Sequence, residues 1–87
     1  MKYVVFYEIA PDTDDLLVEL LPAHRARWEG YLAQGTLLAI GPFSDRTGAL
    51  GVFSTREAAE EYAAGDPFVQ HGVVRSWSIR EWNEVLL

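Results

Sequence analysis

Two residues stand out as candidates for proton transfer, His24 and Asp66, and each also has a purely structural reading. Leu17, Leu20, Leu21, His24, Trp28, Tyr31 and Leu32 recur at three- and four-residue steps, which marks one face of a helix. Imidazole titrates near neutral pH, so at a core-facing position it can serve as acid or base. The same position also suits a buried neutral histidine bonded to a backbone carbonyl. Asp66 stands between Gly65 and Pro67. An aspartate before proline is a good helix cap, with the proline at the first helical position. A carboxylate can equally hold a histidine ring in one tautomer. Nothing in the spacing itself brings His24 and Asp66 together.

Other residues suit the walls of a pocket. Gly41-Pro42-Phe43 reads either as a turn or as a rigid pocket edge, since glycine lets a ligand approach the backbone. Tyr7 and Phe68 could line the same pocket or simply pack in the core. His71 reads as a helix-end or surface residue. Arg56 with Glu57, Glu60 and Glu61 reads as a solvated helix face, and Arg75 and Arg80 either pair with acidic neighbours or face solvent. The chain has no cysteine. That excludes disulfides, thiolate zinc sites and cysteine nucleophiles. Glycines 41, 48 and 51 fit neither dinucleotide nor phosphate-loop spacing. The two histidines have no metal-helix spacing, so neither a metal nor a cofactor is expected.

The chain has 87 residues, and its charge is 7 − 13 = −6. Nucleic-acid binding calls for clustered Lys and Arg and is not expected. Hydrophobic residues make up 49% and aromatics 13%, a globular composition. The apolar run Tyr3 to Tyr7 stops at Glu8. A secretory core needs about 7–15 apolar residues and a membrane span about 20. A soluble, cytoplasmic protein is expected, with one domain over residues 1–87. A domain of this size buries only about 60–65% of its unfolded surface, so self-association is the expected support.

The elements that position these residues follow from the same pattern. Residues 3–9 read as a strand apolar on both faces, which asks for cover on both. Asp12, Thr13, Asp14 and Asp15 offer helix caps. Pro22 predicts a short helix over 13–20, a kink, and a main helix from Pro22 to Gln34, stopped by Gly35. Leu37–Ile40 reads as a second strand ended by Gly41-Pro42. A polar loop at Ser44–Gly48 leads to a third strand, Ala49–Phe53. Ser54 and Glu57 have capping-box spacing for a second helix that closes at Gly65. Asp66-Pro67 starts one more turn, and a last strand runs from Gly72 to Trp82. Two right-handed βαβ crossovers in this order give a ferredoxin-like α+β sandwich. Its four-stranded antiparallel sheet carries both helices on one face.

The ordered set of motifs resembles the YCII-related (YciI-like) family of the dimeric α+β barrel superfamily. It comprises the opening Met1-Lys2-Tyr3-Val4-Val5-Phe6-Tyr7-Glu8, Pro22-Ala23-His24 entering the helix, Gly41-Pro42, and Asp66-Pro67-Phe68-Val69. The resemblance implies a homodimer built through the sheet faces. It also implies a cleft in which His24 and Asp66 form an active-site pair. One relative of the family is a dehydrochlorinase acting on a chlorinated hydroxyhydroquinone. The loop Ser44–Gly48 is short against relatives, where it varies and helps shape the cleft.

The expected function is a small cofactor-independent enzyme of lyase or isomerase type. His24 and Asp66 would move protons on a small cyclic or aromatic compound, walled by Tyr7, Gly41, Pro42, Phe43 and Phe68. The alternative is a non-catalytic binding or accessory dimer, and a cofactor-free oxygenase ranks third.

Overall fold

The computed structural model describes residues 1–86. Leu87, the end of the tail, lies outside them. The chain runs β1 (Lys2–Ile9), α1 (Asp14–Gln34), β2 (Leu37–Pro42), β3 (Gly48–Phe53), α2 (Arg56–Gly65), α3 (Pro67–Gln70) and β4 (Val74–Trp82). The four strands form one antiparallel sheet in the order β2-β3-β1-β4. This is the ferredoxin-like α+β arrangement expected from the element order.

Strand β1 is central, and its alternation divides the sheet into two faces. Val5 and Tyr7 join the core, with Tyr3 and Ile9 packed against it. The same core holds Tyr31 of α1, Phe53 of β3, Ala59, Tyr62 and Ala63 of α2, and Phe68 of α3. Val4 and Phe6 therefore point the other way, where Val52 and Leu50 stand directly across from them on β3. Among the described residues no helix is long and apolar enough to cross a membrane.

Several boundaries differ from the sequence expectation. Pro22 does not divide the segment into two helices: α1 is one helix of 21 residues that runs through it. Leu16, Leu17 and Leu20 before the proline and Trp28 and Tyr31 after it all pack on the same core. Anchorage on both sides outweighs the lost hydrogen bond and clash, about 3 kcal/mol. Leu32, assigned to the inner face, is instead exposed. Strand β2 continues through Gly41 and Pro42, which pair with Leu50 and Ala49. As an edge strand, β2 tolerates a proline that donates nothing to the ladder. The cap of α2 is Thr55, whose side chain accepts from the Ala58 N–H at 3.1 Å, not Ser54. Ser54 is tied back by its N–H to the Thr36 carbonyl.

Helix α1 ends as expected at Gly35, whose φ of +82° is open to glycine at little cost. Gly48 is fixed by proximity instead. A Cβ there would lie 2.3 Å from the Tyr7 carbonyl oxygen, so β3 can pass β1 only with glycine at this point.

Candidate functional site

Helix α1 carries His24 to the junction of α2 and α3, where Asp66 sits. Asp66 ends α2 and caps α3, with Pro67 at the start of that short helix. Its Oδ1 accepts the Phe68 N–H at 3.0 Å and lies 2.9 Å from His24 Nδ1. Its Oδ2 accepts the Tyr7 hydroxyl at 2.7 Å. Capping and histidine contact, which sequence reasoning set as alternatives, are thus performed by one carboxyl group. Asp66 is fully buried, while the His24 side chain keeps 14% exposure. The pair therefore has a sealed end and an accessible end.

An aspartate oxygen is an acceptor, so the ring proton belongs on Nδ1 and Nε2 is left as the free ring nitrogen. Nε2 makes no hydrogen bond among the described residues. The ring is also fixed in orientation. It stacks on Phe68 with centroids 4.0 Å apart and planes at 12°, and Tyr62 meets its edge.

Electrostatics keep the phenols beside this carboxyl group neutral. Burial pushes the Tyr7 hydroxyl well above its ordinary titration range, and the adjacent Asp66 charge pushes it further. Tyr7 therefore remains a donor to Asp66. Tyr62 is raised for the same two reasons, burial first. Its hydroxyl is buried and has no hydrogen-bond partner among the described residues.

His24 lines a cavity of about 560 Å³ between α1 and the sheet. That is the size of a small-molecule site, roughly 300–1,000 Å³. Tyr7, Gly41, Pro42, Phe43 and Phe68 all line it too. Asp66 lies behind the wall. Tyr7 differs from the sequence expectation in one respect: its ring faces the cavity, but its hydroxyl is committed to Asp66. Leu17, Leu21 and Trp28 complete the α1 wall. Their spacing with His24 had marked the helix face but not that this stretch borders empty space. Arg46, Asp14 and Tyr62 were missed as wall residues. They come from a loop, a helix start and a helix interior, and no sequence period connects them.

Several polar groups outside the cavity wall tie elements together. Arg27 of α1 donates to the Tyr62 and Glu61 carbonyls near the end of α2 and lies over the Tyr31 and Tyr62 rings. Cationic donors suit a helix C-terminus, and here one joins two helices. Glu61 is not simply solvated, since it accepts the Tyr31 hydroxyl. Arg75 pairs with Glu8, and His71 is exposed at the end of α3. Among the described residues no three His, Asp or Glu side chains converge as metal ligands.

Comparison with known proteins agrees with this architecture. The YCII-related domain matches residues 1–83. The protein YciI of Escherichia coli is 31% identical over 97 aligned residues, covering 98% of this chain and 99% of that one. An uncharacterized protein of Haemophilus influenzae is 28% identical with the same coverage. Among solved structures, a 5-chloro-2-hydroxyhydroquinone dehydrochlorinase from Burkholderia phenoliruptrix, in complex with 2,5-dihydroxybenzoquinone, superposes with a TM-score of 0.78. It shares 17% identity over 95% of this chain and 94% of that chain.

Proposed function

The chain belongs to the YCII-related domain family, and from its site we propose that it is a small cofactor-independent enzyme moving protons on a single-ring metabolite. The observation that carries this reading is the 2.9 Å contact between Asp66 Oδ1 and His24 Nδ1, with the ring at the wall of an apolar cavity. Asp66 holds the proton on Nδ1 and stabilises the imidazolium that forms when Nε2 takes a second one. Nε2 removes a proton from the bound ring or from one of its hydroxyls. The electron pair left behind forms a new double bond. Either a leaving group departs with its own pair, which is elimination, or the proton returns at another atom, which is isomerisation. Gly41, Pro42, Phe43, Phe68, Trp28 and the ring of Tyr7 supply flat apolar walls for such a substrate. The ligand named for the dehydrochlorinase structure, 2,5-dihydroxybenzoquinone, is a flat single-ring compound of the class proposed here.

The reading includes a cytoplasmic homodimer. On the sheet face away from the helices Phe6 and Leu50 are half-buried beside the already buried Val4 and Val52, and Trp82 beside Lys2 is 38% exposed, which together make an apolar patch. A second copy packed sheet to sheet would cover this patch. Light scattering at micromolar concentration should give the mass of a dimer, and a monodisperse monomer would refute the association.

The central test is a panel of single-ring hydroxylated compounds, beginning with 2,5-dihydroxybenzoquinone and hydroquinone. Thermal shift and turnover are read on wild type and His24→Ala. Turnover by wild type that disappears in a folded His24→Ala protein supports the proposal. Binding that persists without turnover in wild type points instead to a binding module.

A further inference from the structure

Among the described residues Arg46 is the one arginine or lysine in the cavity wall, and its placement bears on which ring compounds fit. Arg46 lies in the β2–β3 loop, with its backbone held in the left-handed region at φ +64°. That conformation is uncommon for a side chain other than Gly or Asn, and the strain persists because its surroundings fix it. Arg46 N–H bonds to the Phe43 carbonyl, and the Asp45 carboxylate next to it accepts from both the N–H and the hydroxyl of Thr47. Asp45 is thereby occupied within the loop, and Arg46 makes no ion pair among the described residues. Arg25, Arg56 and Arg75, by contrast, each pair with a glutamate. Among the described residues Asp14 is the one carboxylate in this cavity's wall, while Glu8 and Asp12 join it and Arg46 around an adjoining groove. Asp14 sits in the first turn of α1, where the helix N–H groups already favour its charge.

We propose that Arg46 is a specificity residue that selects ring compounds carrying an ionised oxygen, an enolate or phenolate, over neutral rings of the same size. The proposal rests on the reading of this cavity as a ring-binding site. Arg46 is an exposed residue of the cavity rim with no ion pair among the described residues, and a guanidinium so placed gains most from an anionic partner, through charge-assisted hydrogen bonds of fixed fork geometry. A ring anion held there would turn its oxygen to the loop and leave its face to the apolar walls and His24. A strained arginine in place of the relaxed Asn or Gly is the backbone's contribution to that arrangement.

The test is anaerobic titration calorimetry at pH 7 and low salt with two probes, on wild type and Arg46→Asn. The first probe is 2,5-dihydroxybenzoquinone, ionised at that pH, and the second is hydroquinone, which is neutral. Wild type should bind the anion at least tenfold more tightly, with a preference that shrinks as salt is added. Arg46→Asn should lose the preference, keep its affinity for hydroquinone, and melt no lower than wild type because asparagine tolerates the left-handed backbone. A preference that survives in Arg46→Asn, or one absent from wild type that binds both probes, overturns the role of Arg46 alone. Failure of wild type to bind either probe overturns the ring-site reading and this inference together.

Discussion

The Tyr7 hydroxyl donates to Asp66 Oδ2 at 2.7 Å across 59 positions of sequence, joining the centre of the sheet to the turn between α2 and α3. The carboxyl group that orients His24 is thus itself held by a neutral phenol from the opposite layer. Tyr7→Phe should keep the ring packing and leave Oδ2 without its donor. The buried acceptor costs about 1–3 kcal/mol. Urea unfolding should show that loss, and an unchanged midpoint would mean that the bond contributes nothing.

The same phenol gives the protein an alkaline limit. Tyr7 and Tyr62 are both held above their ordinary value of 10.0 by burial and by the Asp66 charge. In the unfolded chain they lose their protons near that ordinary value, while the folded chain retains them. Their contribution to stability is therefore full below pH 10 and declines as the pH rises beyond it. Unfolding free energy should fall above pH 10, and Tyr7→Phe should make that fall shallower.

Asp66→Asn separates the two duties of the residue. The amide oxygen can still accept the Phe68 N–H and cap α3. It cannot hold the His24 proton on Nδ1 with the same preference. Nitrogen-detected NMR of the imidazole should show the Nδ1–H tautomer in wild type and a mixture in the variant. Turnover of any substrate found for the site should fall on the order of 10²–10⁴-fold. A wild-type tautomer ratio in the variant would remove Asp66 from the proposed mechanism.

Two glycine replacements should act in opposite directions. Gly48→Ala drives a Cβ to 2.3 Å from the Tyr7 backbone oxygen and should cost at least about 1–3 kcal/mol. Gly30 in α1 has open space around it. Gly30→Ala should add about 0.5–1 kcal/mol through helix propensity. Thermal melts of the two variants on either side of wild type would bear this out.

Pro22→Ala tests why α1 is continuous. Restoring the backbone N–H and removing the ring clash recovers part of about 3 kcal/mol, less what proline saves by stiffening the unfolded chain. A net gain of about 1–2 kcal/mol in chemical denaturation is expected. A loss would mean that proline fits this helix without strain.

The local elements were legible in the sequence because local chemistry creates them. The β-branched run of β1, the glycine stop at Gly35 and the Asp66-Pro67 start of α3 each act within a few residues. Their order was enough to give the layered fold. His24 could be placed on the inner face of its helix by periodicity alone, and the absence of cysteine had already removed thiol and thiolate-zinc chemistry. Pro22 shows where local rules stop, since packing at both ends of α1 overrides a strong local breaker. What only the tertiary structure decided is which distant groups meet. The Asp66 oxygens take donors from β1 and α3 and face the His24 ring of α1, and Arg46 reaches the same cavity from a loop. No sequence spacing encodes those encounters. They arise because burying the apolar faces of β1, α1 and α2 brings their few polar groups together, where each must find a partner or go without water.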